Sequence, residues 1–269
     1  MSSPAEPLRA RNSSSLEDSL SGGATGQYYR YVRRGIEPLL PPRATRVLDL
    51  GAGAGSTSAW LRTFYADARF IAIEGCAALE PELRRNVDEA YIVDLNGPLP
   101  EVGAPDLVIA LDILEHLADP WDVLSRVVSI SAPDVTVIIS VPNVAHHSVA
   151  LPLILHGSFK YCDAGGILDS THLRFFVRES AFELMTRAGL RVEAAVRSGF
   201  EGPRTRLVNR LTLGRMRDML TKQYILAGRR EGAQAAKRGV AWTDWAPGRR
   251  KAGLAPTGKR ASEPASAAE

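Results

Sequence analysis

The sequence predicts an α/β protein built on a mainly parallel sheet, and three observations carry that reading. An apolar run, Val47-Leu48 with Leu50, passes directly into three alternating glycines, Gly51, Gly53 and Gly55, and then into a helix-forming stretch. Short Val/Ile-rich runs then alternate with helical stretches, which is the pattern of βαβ units. A chain of 269 residues with 45% hydrophobic residues suits one large globular domain with tails.

Taken in order, residues 1–26 are rich in Ser, Gly and Ala and are expected to be disordered. Gln27 to Leu40 carries Tyr28, Tyr29, Tyr31, Val32, Ile36 and Leu39 in a partly helical pattern, ended by Pro41-Pro42. Strands are expected at 46–50, 69–74, 90–93, 106–111, 134–141, 190–198 and 223–229. Asp119 and Pro120 mark the start of a helix from Trp121 to Ser131, and another helix lies around Glu179 to Ala188. Residues 142–178 are too long for an ordinary connection and read as a substrate lid inserted in a domain spanning 27–230. The rest, 231–269, reads as a disordered basic tail.

The charge sits unevenly. Residues 228–269 hold nine Lys/Arg and four Asp/Glu, a net +5 against +3 for the whole chain, which leaves the remainder near neutral at −2. A basic tail of this kind is either simply solvated or binds a partner electrostatically, and it is no groove for nucleic acid. Cys76 and Cys162 have no metal-ligand spacing and read as ordinary thiols. With no apolar run long enough to span a bilayer and no signal-peptide pattern, a cytoplasmic location is expected.

The glycine spacing is G-x-G-x-G, with Ser56 where a dinucleotide fingerprint has its third glycine. Asp49 precedes it, and Glu74 ends the next apolar run roughly 20 residues on. Together these residues resemble the first two motifs of class I S-adenosylmethionine-dependent methyltransferases. The resemblance continues through Tyr91-Ile-Val-Asp94-Leu95 and through Asp106 to Asp112, which runs into Ile113 to Pro120. It implies a Rossmann-like, doubly wound seven-stranded sheet, mainly parallel, with 223–229 as the one antiparallel strand. S-adenosylmethionine is the implied cofactor, bound by Asp49, Gly51, Gly53, Gly55, Glu74, Asp94, Leu95, Leu111 and Asp112. Glu74 would accept both ribose hydroxyls. Asp94 would take the adenine amino group with Leu95 against the ring, although a capping role for Asp94 stays open. Tyr28 or Tyr29 either touches the methionine end or packs in the core.

Leu114 to Pro120, L-E-H-x-x-D-P, resembles a subgroup of small bacterial O-methyltransferases that includes the ubiquinone type. His116 there is either a general base or a loop brace. The runs Val141 to His146 and Gly166 to Phe176 resemble bacterial methyltransferases associated with cell-surface glycans and other polar metabolites. By that resemblance His146 and His172 are further base candidates, each with the alternative of bracing the lid, and Asn143, Asp169 and Arg174 are substrate contacts. Asp112, Glu115 and His116 offer oxygen and imidazole ligands but no decisive spacing, so no metal is assigned.

The expected function is methyl transfer from S-adenosylmethionine to a hydroxyl of a small polar acceptor, with a sugar or glycan-linked group ahead of a quinone-like phenol. The alternatives are a non-catalytic cofactor-binding scaffold or regulatory module, and an NAD-dependent oxidoreductase. Amino-group methylation of nucleic-acid bases is disfavoured, because the fourth strand ends in Ala-Leu-Asp-Ile-Leu-Glu-His and lacks an Asn/Asp-Pro-Pro-aromatic run.

Overall fold

A computed structural model describes residues 29–163, 165–199, 202–230 and 239–244. The expected disorder of 1–26 and of most of 231–269 lies outside these residues. One sheet organises the molecule, formed by β1 (Arg46–Leu50), β2 (Arg69–Glu74), β3 (Glu89–Ile92), β4 (Leu107–Leu111), β5 (Thr136–Pro142), β6 (Leu190–Ser198), β7 (Gln223–Arg230) and β8 (Ala241–Asp244). The strand order is β3-β2-β1-β4-β5-β7-β6-β8. Neighbours pair in parallel except β7, which runs antiparallel to both β5 and β6.

The central strands are buried on both faces because they turn apolar side chains to both. In β1, Leu48 and Leu50 enter one core and Val47 the other, and in β4, Val108 and Ala110 oppose Leu107, Ile109 and Leu111. The first face is covered by α3 (Pro120–Ile130), through Val123, Leu124, Val127 and Val128, and by α5 (Arg178–Arg187), through Ala181, Leu184 and Met185. Asp119 caps α3 by accepting the Asp122 amide at 3.0 Å, with Pro120 in the first turn. Over the other face lie a 3₁₀ helix (Arg34–Leu39), α1 (Ser56–Leu61) and α2 (Glu80–Asn86), through Ile36, Leu61 and Leu83.

Two expectations are corrected. The sheet has eight strands, not seven. The extra strand, Ala241–Asp244, comes from the stretch expected to lie outside the domain and pairs in parallel with Ala194 to Arg197. Trp242 holds it there, packed on Tyr224 and Phe182 with the Arg197 guanidinium 3.5 Å from its ring centroid. The helix expected from Gln27 to Leu40 is not continuous: among the described residues Tyr29 is helical, residues 30–33 are not, and Arg34–Leu39 form a 3₁₀ turn. Pro38 has no amide to donate, and Gly35 adds backbone freedom.

The 142–178 connection contains α4 (His147–His156) and then irregular turns tied by bridges between Asn143 and Phe176 and between Cys162 and Asp169. Between β6 and β7 the chain forms α6 (Pro203–Leu211) and α7 (Arg217–Leu220), separated by the positive-φ residues Leu213 and Gly214. Among the described residues, no helix is long and apolar enough to cross a membrane. Because β1 to β5 are parallel, their carboxyl ends open along one edge of the sheet, where ligands bind in such folds.

Candidate active site

At that edge β1 delivers the glycine loop. Gly51 and Gly53 have φ of 66° and 58°, and a Cβ on Gly51 would lie 2.5 Å from Ile113 Cγ1. A Cβ on Gly53 would lie 2.7 Å from the Tyr29 carbonyl oxygen, which accepts the Ala54 amide at 3.0 Å. Only glycine fits both the backbone and the space. Gly55, also left-handed, precedes α1. Asp49 is buried, accepting the Ser58 hydroxyl at 2.6 Å. Burial pushes its pKa up to about 7 against the opposing pull of Ser58 and Arg33, with Glu74 adding to the rise.

Glu74 is buried at the end of β2 and reaches across to the loop from β1. One of its oxygens accepts the Gly53 amide at 2.8 Å and the other the Cys76 amide at 2.8 Å. Asp94 is exposed after β3 and accepts the backbone and side-chain amides of Asn96 at 2.9 and 2.8 Å, so it shapes its own turn. Leu95 beside it is buried.

Leu111 and Asp112 end β4. Asp112 has φ 56°, and its carboxylate accepts Arg33 Nε at 2.7 Å, the Ser140 hydroxyl at 2.7 Å and a hydrogen bond from the Gln223 side-chain amide. A small cavity of about 80 Å³ beside it is lined by Tyr31, Arg33, Asp112, Ser140, Ser198 and Gln223, among others. Arg33, Ser140 and Gln223 were missed from sequence. Arg33 lay inside an expected helix, and the other two looked like ordinary strand residues.

The three candidate histidines do not gather at one point. His116 and His172 stack edge to face with centroids 4.7 Å apart, next to buried Glu115. His172 Nδ1 donates to the Ile167 carbonyl at 3.0 Å, and its Nε2 is 3.9 Å from Glu115 Oε1. Burial, with His172 adding to it, holds His116 below the ordinary histidine pKa. Burial likewise raises the Glu115 carboxyl well above the usual carboxylate range, helped by Asp112. His146 instead pairs with His147 and uses Nδ1 to accept the Ser148 amide, capping α4. Burial and its neighbours His147 and Lys222 lower its pKa to about 4. Its lone pair thus serves the helix.

The expected substrate contacts also separate. Asn143 is fully buried, its amide donating to the Asp218 and Thr221 carbonyls at 2.8 Å each while its Oδ1 accepts the Ala145 amide at 3.1 Å. That corrects its role to a brace between β5 and the approach to β7. Asp169 accepts the Thr171 amide at 2.8 Å and hydroxyl at 2.5 Å. Burial would raise its pKa, but these bonds and the two histidines outweigh it and leave the carboxyl lowered. Arg174 is exposed and donates to the Ala118 carbonyl, while its own amide donates to the Glu115 carbonyl at 3.0 Å. Thr171, unassigned from sequence, links Asp169 to His116 Nδ1 at 3.0 Å.

Comparison with known proteins gives the fold a context. A family profile described as a methyltransferase domain matches residues 25–195. A curated relative, trans-aconitate 2-methyltransferase of Variovorax paradoxus (strain S110), is 27% identical over 104 residues, 38% of this chain and 40% of that protein, so the match spans less than half of the relative. Among solved structures, a chain from a Haloferax volcanii complex with the Trm112 methyltransferase activator superposes with a TM-score of 0.56 at 17% identity, over 83% of this chain and 100% of that one. A SAM-dependent methyltransferase from Archaeoglobus fulgidus gives 0.55 at 17% identity, over 80% and 98%.

Proposed function

The chain belongs to the methyltransferase-domain family, and we propose that it transfers the methyl group of S-adenosylmethionine to a hydroxyl of a small polar acceptor, a sugar or glycan-linked group. The observation that carries this reading is the Gly53 amide at 2.8 Å from Glu74, which sets a buried acid against a glycine loop at the carboxyl edge of the sheet. Each Glu74 oxygen accepts one backbone amide, and a carboxylate oxygen has two lone-pair positions. One position per oxygen is therefore left for a ribose hydroxyl, so these residues fit the cofactor.

When bound, S-adenosylmethionine supplies an electrophilic methyl group on a positively charged sulfur. The protein's part is to align the acceptor, exclude water and manage one acceptor proton. Gly51, Gly53 and Gly55 keep side chains out of the loop, Glu74 would hold the ribose, and Asp94 and Leu95 would meet the adenine. Glu115, His116 and His172 form the polar group beyond β4 against which the acceptor hydroxyl would sit.

Calorimetric titration with S-adenosylmethionine, S-adenosylhomocysteine and NAD tests the reading. Binding of both sulfur nucleotides but not NAD is expected, followed by turnover in an acceptor screen with labelled methyl donor. Binding of NAD alone, or of none of the three, would overturn it.

A further inference from the structure

Glu115, His116 and His172 each bring one ligand atom to a common point, all within 4.8 Å of one another. The hydrogen bonds around the rings determine what those atoms are. A carbonyl oxygen only accepts, so His172 carries its proton on Nδ1 toward Ile167, and its Nε2 lone pair faces Glu115. The Thr171 hydroxyl gives its proton to Asp169 and so accepts from His116 Nδ1, which leaves the lone pair of His116 on Nε2 as well.

Two imidazole lone pairs and a carboxylate thus converge, and the carboxylate's donor is Glu115's own backbone amide, with neither ring offering it a proton. Glu115 is 2% exposed and its Oε2 has no hydrogen-bond partner. The nearby amides of Leu173 and Arg174 both donate to the Glu115 backbone carbonyl and not to its carboxylate. A buried carboxylate left in this way is costly, and a cation among the three groups would remove the cost. Both rings are already oriented by outer acceptors, as metal-bound histidines are.

We propose that Glu115, His116 and His172 bind one first-row divalent transition-metal ion, through a carboxylate oxygen and the Nε2 of each ring. A donor set of two imidazoles and a carboxylate suits zinc, manganese, iron or cobalt and leaves coordination positions open for oxygen ligands. Metal–ligand distances of about 2.0–2.2 Å put donor atoms roughly 3 Å apart, so the 3.9 Å between Glu115 and His172 needs only a small closure. Asp112, weighed from sequence as a ligand, is taken up by Arg33, Ser140 and Gln223, and His172 stands in its place. Resting on the methyltransferase reading, the open positions take the acceptor oxygen. The ion then acidifies the hydroxyl, which loses its proton to water, and the imidazoles act as ligands instead of bases.

The test uses the full-length, tag-free chain, stripped with a chelator and titrated with Co²⁺ alone, followed by visible absorption and calorimetry. One ion per chain is expected, with Glu115→Gln and His172→Ala each weakening binding at least tenfold. Thr171→Val, a change at an exposed residue, should weaken it by about tenfold through His116, which keeps the test valid if either core variant fails to fold. Alanine at both His146 and His147 should leave binding unchanged. Absence of stoichiometric binding, binding insensitive to the Glu115, His172 and Thr171 changes, or binding lost in the His146/His147 variant would each overturn the site. S-adenosylmethionine binding measured on the stripped chain separates the two readings. Cofactor binding without metal binding refutes the ion site alone, and metal binding without cofactor binding refutes only the methyltransferase reading and the acceptor role that rests on it.

Discussion

The Arg33 guanidinium lies 2.7 Å from the Asp112 carboxylate and joins residues 79 positions apart in the chain. Through this pair the segment from Tyr29 to Arg33 is strapped across the carboxyl edge of the sheet. The Tyr29 carbonyl bonds the glycine loop, Arg30 pairs with Glu82, and the Arg33 amide donates to Thr57 Oγ1 at 3.3 Å.

Both partners of the pair are about four-fifths buried, so breaking it should cost more than a surface pair and less than a fully buried one, about 1–3 kcal/mol. Arg33→Ala should show that loss in urea denaturation. At Asp112 the positive φ adds a second effect. Asn tolerates that backbone and Val does not, so Asp112→Val should be clearly less stable than Asp112→Asn. Equal stability of the two variants would refute the backbone argument.

Gly53→Ala should destabilise the chain by about 1 kcal/mol or more, because the new methyl meets the Tyr29 carbonyl and φ is unfavourable. Gly75→Ala is the control, since a Cβ there has no neighbour within 4 Å. Thermal melts of the two variants would show whether the glycine loop tolerates a side chain.

Glu74→Ala should weaken S-adenosylmethionine binding by about 2 kcal/mol, the scale of a charged hydrogen bond. Calorimetry measures this directly, with thermal melts to check that the fold survives loss of the two amide contacts. Unchanged affinity would remove Glu74 from the cofactor site.

Asp49 predicts a pH dependence. Its pKa rises from 3.8 to about 7 on folding, so the folded chain retains a proton that the unfolded chain has lost. Its contribution is fully present below pH 4 and is lost as pH rises through about 7. The stability of the wild type relative to Asp49→Asn should therefore fall steadily between pH 4 and pH 7.5 in denaturant titrations. A difference that does not change with pH would show that Asp49 is ionised in the folded chain throughout.

Much of the sheet was legible because its strands carry their own signal. The bounds of 46–50, 69–74 and 190–198 agree with β1, β2 and β6, and the other four expected strands lie within two residues at each end. The errors arose where distant residues decide. Asn143 follows a strand and reads as a loop polar group, yet residues 218–221, some 75 positions later, bury it. The helix expected from Gln27 had the right apolar residues, but Pro38 removes a donor that an α-helix needs. At the site, the L-E-H run pointed to His116, while its stacking on His172 depends on how the 142–178 connection folds back.

The eighth strand bears on how the protein keeps to itself. Without Ala241–Asp244, the backbone of Ala194 to Arg197 would present unpaired amides and carbonyls along an apolar rim, a template onto which another chain could add a strand. Trp242 and its neighbours occupy that rim from within the same molecule. A domain boundary drawn at residue 230 would keep the carboxyl edge of β1 to β5 and strip away the guard against edge-to-edge aggregation.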